Sequence, residues 1–175
     1  MPTRNKKFYK SFLYSFPIIL LFVLVFTGFD LSIDYDLNIS FNFVYILIFF
    51  WVLKKPEMLG FGLIFLSGFI NDVNLNFPIG ISSINYLFLC ALASFLRNRT
   101  LTPSLLYDWV FFFLSVLIVN STNYILLTLI FSSDISYKIL MYNSFFTSLV
   151  YPIFVKIFNQ INIYNLKEEN AKSKR

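Results

Sequence analysis

The sequence predicts an all-α polytopic membrane protein with six transmembrane helices. Three observations carry this expectation. The 175 residues are 58% hydrophobic and 13% charged, with a mean hydropathy of +0.71. A soluble domain of this size needs far more polar surface. Several apolar runs approach or exceed bilayer length, whereas a β-barrel shows short alternating segments. The basic residues also cluster at one set of run ends, the pattern of cytoplasmic loops.

The basic stretch MPTRNKKFYK precedes the first run, FLYSFPIILLFVLVFTGF. That order resembles the start of a signal peptide, but the following DLSIDYDLN holds no small-x-small cleavage site. An uncleaved first span over 12–29 is expected, with Pro17 in its first turns. An acidic loop with Asp30, Asp34 and Asp36 follows. The second and third spans, 41–53 and 58–71, are short for a bilayer that takes roughly 20 residues. They either borrow polar flanks or form a shallow hairpin around Lys54, Lys55, Pro56 and Glu57. The fourth span, 80–96, ends at Arg97 and Arg99. The fifth, 105–131, is long enough to tilt. The sixth covers 139–158, and its tail NLKEENAKSKR reads as a charged, frayed end.

Charge sets the orientation. With both termini cytoplasmic, Arg4, Lys6, Lys7, Lys10, Lys54, Lys55, Arg97, Arg99 and Lys156 fall inside. Lys138 falls outside with Asp30, Asp34, Asp36, Asp72 and Asp134. This is the asymmetry of a multi-pass inner (cytoplasmic) membrane protein. It also explains the net charge of +5 without a nucleic-acid partner.

The chain has no histidine and one cysteine, Cys90, in an apolar run. Histidine-based metal sites, histidine general bases, Cys–His pairs and intrachain disulfides are thereby removed. No glycine-rich phosphate loop or nucleotide motif is present. No catalytic residue, metal or cofactor is expected. Asp108 sits between Tyr107 and Trp109, a trio that reads as an interfacial belt.

The stretch GFINDVNLNFPIG, 68–80, places Asp72 between two apolar runs. Gly60, Ile64, Gly68 and Asp72 step by four and share a helix face, where the glycines admit another backbone. An anion at a helix C-terminus opposes the macrodipole, so Asp72 needs partners, such as the N–H groups of the next turn or the neighbouring Asn side chains. Pro78 and Gly80 shape that turn. A capped hairpin corner and a partner or ligand contact both remain open. No second acid, base or nucleophile stands at a recognisable spacing for catalysis. A deeper polar set comprises Ser82, Ser83 and Asn85, then Asn120, Ser121, Thr122 and Asn123, then Asn143, Ser144, Thr147 and Ser148. It forms interhelical hydrogen bonds of about 0.6 kcal/mol each, or it lines a polar cavity for a small solute.

The order of motifs resembles the rod-shape-determining membrane protein family MreD, in its alphaproteobacterial form. FFWVLKKPE is followed by GFGLIFLSGFINDVNLNFPIGISSINYLFLCALASFLRNR, so that Trp51, Pro56, Gly68, Asp72 and Gly80 fit in order. NSFFTSLVYPIFVKIFNQ fits the last helix, with Asn143 and Pro152 at matching places. The resemblance implies a non-enzymatic scaffold of the elongasome, which builds lateral peptidoglycan and maintains rod cell shape. The implied partner is an MreC-like bitopic protein, with indirect links to MreB, RodA and a class B penicillin-binding protein. The family's fold is similar to the six-helix substrate-binding subunit of energy-coupling-factor transporters. The alternative is therefore the membrane subunit of a vitamin uptake transporter. Under the scaffold expectation, the Gly60–Gly68 face and the 72–80 corner meet the partner.

Overall fold

The structure, a computed structural model, describes the backbone of residues 3–28, 31–34, 39–99, 104–131 and 136–173. Side chains are described within 15–28, 41–99, 104–131 and 136–160. Helix α1 spans Thr3–Thr27, the strands β1 and β2 span Leu31–Asp34 and Ile39–Phe41, and α2 spans Phe43–Lys54. A 3₁₀ turn at Pro56–Met58 leads into α3 (Phe61–Leu75), α4 (Ile81–Arg99), α5 (Leu105–Phe131) and α6 (Tyr137–Ser173). The fold is helical, as expected. Among the described residues, α5 alone is long and apolar enough to cross a membrane by length and composition.

Several boundaries differ from the sequence expectation. The acidic loop contains an antiparallel hairpin, with Leu31 opposite Phe41 and Ser32 opposite Ser40. Its short alternating patterns, LSID and ISF, are masked by the surrounding aspartates. The basic N-terminal stretch is already helical in α1. The charged tail continues α6 to Ser173 instead of fraying, in keeping with the good helix formers Leu, Lys, Glu and Ala in NLKEENAKSK. Asp30, Asp36 and Asp134 lie outside the described residues, as do the side chains of Asp34, Arg4, Lys6, Lys7 and Lys10.

Helix α2 is the hub. Every residue from Phe43 to Leu53 is buried, because this helix is apolar all round and has no face suited to water. Its aromatic rings reach three neighbours. Tyr45 meets Tyr86 of α4 edge to face at 5.9 Å, and Phe49 meets Phe112 of α5 at 5.0 Å. Phe43 meets Phe154 of α6 at 4.3 Å. Such pairs add about 0.5–1.5 kcal/mol each beyond area burial. Trp51 is fully buried, and its indole N–H finds no hydrogen-bond partner among the described residues. Helices α1, α4, α5 and α6 pack on this hub and α3 packs on α4 and α1; all five carry large exposed apolar side chains, among them Val23, Phe26, Leu66, Ile84, Phe95, Leu129 and Ile153.

The two glycines expected to share one packing face play different parts. Gly68 is buried in α3, and a Cβ placed on it would overlap the Cα, N and Oγ of Ser83 on α4. Gly60 precedes the helix at φ 67, where it turns the chain into α3 and faces open space. The helix starts one residue after Gly60, so the four-residue stepping does not extend back to it.

This contrast gives a test. Gly68→Ala forces α3 and α4 apart and is expected to destabilise the fold by about 1–3 kcal/mol. Gly62→Ala, with open space around its Cβ, is expected to be neutral or to stabilise by about 0.5–1 kcal/mol. Thermal unfolding in detergent reads both. Equal midpoints for the two variants would contradict the close α3–α4 approach.

Candidate functional site

The site grows out of the α3–α4 corner. Asp72 is fully buried in the last turn of α3. Its Oδ2 accepts from the Gly80 N–H at 2.7 Å and its Oδ1 from the Ser82 N–H at 2.8 Å. Gly80 immediately precedes α4 and Ser82 lies in its first turn, where backbone N–H groups have no intrahelical acceptors. The carboxylate therefore sits against the positive end of the α4 dipole, which offsets its unfavourable place at the end of α3. Of the partners expected for Asp72, the backbone N–H groups are the ones it finds.

The neighbouring polar residues each have a separate task. Asn71 Nδ2 donates to Ser82 Oγ at 2.9 Å, a second tie between α3 and α4. Asn74 Nδ2 donates to the Val25 carbonyl at 2.7 Å, occupying one of the last acceptors of α1. Asn76 ends α3 in the left-handed conformation at φ 54, and the Phe77 N–H returns to the Asp72 carbonyl at 2.9 Å. This is the usual αL termination of a helix. Gly80, at φ 105, provides a backbone that side chains rarely adopt, while Pro78 lies in the turn before it.

Below the corner lies a cavity of about 250 Å³ lined by Asn42, Asn71, Asn85, Asn120, Asn123 and Asn143. Ser82, Thr147, Tyr45, Tyr86, Phe77 and three leucines, Leu75, Leu127 and Leu140, complete the wall. Ser82, Asn85, Asn120, Asn123, Asn143 and Thr147 of the deep polar set meet here. Asn85 Nδ2 of α4 donates to Asn123 Oδ1 of α5 at 2.9 Å. Asn120 Nδ2 of α5 donates to Ser144 Oγ of α6 at 2.7 Å. Thr147 Oγ1 of α6 accepts from the Asn42 N–H at 2.9 Å, at the start of α2. Asn85 is 3% exposed, and its Oδ1 has no hydrogen-bond partner among the described residues. Ser83, Ser121, Thr122 and Ser148 do not join this wall. Thr122 Oγ1 turns back to the Ile118 carbonyl of its own helix.

At the opposite end of α2, Lys54 Nζ donates to Asp108 Oδ2 at 2.7 Å. The Asp108 side chain is 6% exposed, so Asp108 is an internal ion-pair partner and not part of an interfacial belt. Trp109 donates its indole N–H to the Ser148 carbonyl at 2.7 Å, and Tyr107 stays exposed. The pair fixes the end of α2 to the start of α5. Its two residues stand 54 positions apart, and neither flank carries a motif, so sequence reasoning missed it.

Asn143 lines the cavity, Pro152 lies within α6, and Pro56 opens the 3₁₀ turn after α2. Asn42 enters the site without having been singled out in the sequence. No group of three or more His, Cys, Asp or Glu side chains able to hold a metal occurs among the described residues. Comparison with family models, curated proteins and solved structures finds no significant match to this chain.

The Asp72 geometry makes a specific demand. Both oxygens accept, so Asp72→Asn turns an NH₂ group against a backbone N–H. It is expected to cost about 1–3 kcal/mol, and Asp72→Leu more, because both α4 donors then stay buried without acceptors. Thermal unfolding in detergent measures this. An Asp72→Asn protein as stable as the parent would show that the two hydrogen bonds do not hold the corner.

Proposed function

We propose that the chain is a six-span, multi-pass protein of the bacterial inner membrane and a non-enzymatic scaffold of the cell-wall elongation complex. In this reading it binds an MreC-like bitopic protein and through it connects with peptidoglycan synthesis. The observation that carries the reading is the ordered motif set running from Trp51 through Asn143 to Pro152, with Gly68, Asp72 and Gly80 forming one joint. The apolar outer faces of α1 and α3–α6 support membrane immersion, and the fully buried α2 fits the centre of such a bundle. Both termini face the cytoplasm in this arrangement.

The partner surface follows from what the fold leaves free. Gly68 is filled by α4 of the same chain. The Gly60–Gly68 face therefore does not receive a partner helix as a unit. Val73 and Ile79, 64% and 69% exposed, stand at the corner instead, and they are the side chains we assign to the partner.

The asparagine-lined cavity favours a second reading, the substrate-binding membrane subunit of a vitamin uptake transporter. Against it, α1 contains no alanine or glycine in its helical range, the residues that admit the closest approach of an energising module.

A detergent pull-down of the tagged protein from its native membrane, read by mass spectrometry, separates the two. The scaffold reading expects an MreC-like single-span protein, with recovery reduced several-fold by Ile79→Asp. Recovery of a transporter ATPase module in its place would overturn it.

A further inference from the structure

We infer that the cavity between α2, α3, α4, α5 and α6 is a binding site for a small uncharged ring that carries an amide or lactam edge. The site does not depend on which reading of the whole protein holds: the guest is cargo in a transporter and a resident ligand in a scaffold.

The wall chemistry points to this class. Six asparagine side chains line the cavity. Each offers an acceptor and two donors on one flat group, the complement of a guest that itself presents a donor beside an acceptor. Asn85 spends Nδ2 on Asn123, and its Oδ1, in a residue 3% exposed, accepts nothing among the described residues. A buried carbonyl oxygen left without a donor carries an uncompensated desolvation cost, which a guest N–H that reaches it relieves.

Shape and charge narrow the class further. Tyr45, Tyr86 and Phe77 supply aromatic surface against which a flat ring rests. The volume of about 250 Å³ matches roughly eight waters at the ~30 Å³ each occupies in the liquid, enough for one ring with its substituent. Among the described residues, no Lys, Arg, Asp or Glu lines the cavity. The nearest carboxylate in the corner, Asp72, already accepts from two backbone N–H groups. A charged guest would enter without a counter-charge and lose its hydration.

Three isosteric probes test the inference on the full-length protein in detergent, by titration calorimetry and ligand-observed NMR. Benzamide is neutral, benzoate is its anion analogue, and benzamidine is its cation analogue. We expect benzamide to bind at least tenfold tighter than either charged analogue. Asn85→Leu, checked for folding by gel filtration and thermal unfolding, should weaken benzamide at least tenfold. Should that variant fail to fold, Asn123→Leu, at a less buried position, serves the same purpose. Absence of benzamide binding, or equal or tighter binding of benzoate or benzamidine, overturns the inference. Unchanged benzamide affinity in a folded variant places the probe elsewhere and overturns it too.

Discussion

The Asp72 carboxylate joins two helices by accepting from the Gly80 and Ser82 N–H groups. A charge with no exposure to solvent needs full hydrogen bonding to stay there, and the entry to α4, Gly80 and Ser82, supplies it. The rest of the architecture inherits its register from this joint. Once α4 is fixed, Ser83 lies over Gly68, which has no Cβ to obstruct it. Ser82 then meets Asn71, and Asn85, one helical turn along α4 from Ile81, points toward Asn123 of α5. The cavity wall is thus a consequence of how the corner is capped.

The other end of the bundle is tied differently. Helix α2 has no polar face, so its position comes from packing on all sides and from bonds at its two ends. The Asn42 N–H reaches Thr147 of α6 at one end, and Lys54 reaches Asp108 of α5 at the other. Removing one member of a buried ion pair leaves the other uncompensated, which typically costs more than the pair itself contributes. Lys54 is partly exposed, at 23% of its side chain, which softens that cost here.

Much of the helical frame was legible because long apolar runs have one stable backbone solution away from water, and the run at 105–131 coincides with α5. The need of Asp72 for backbone donors was also legible, since an anion at the end of α3 conflicts with the dipole there. Which donors it would find was not, because that depends on the path of the turn through Asn76 and Gly80. Gly60 was misplaced for a related reason: four-residue stepping assumes one continuous helix, and the chain breaks at that glycine. The short hairpin at 31–41 was hidden among aspartates. The Lys54–Asp108 pair and the role of Asn42 were invisible, since both rest on contacts between helices distant in sequence. For the deep asparagines, interhelical bonding was foreseen, while the space left between them is visible only once α2 to α6 are in place.

The most direct measurement of the account is side-specific labelling of single cysteines in intact cells. Cys90→Ala provides the background, and Glu57→Cys, Ile79→Cys and Asn98→Cys the reporters, all at exposed positions. A membrane-impermeant maleimide is added before or after permeabilisation. The account expects Ile79→Cys to react from outside, and Glu57→Cys and Asn98→Cys only once the membrane is opened. Labelling of Glu57→Cys from outside would mean that α2 and α3 do not cross the bilayer, and would contradict the six-span arrangement on which the proposed scaffold rests.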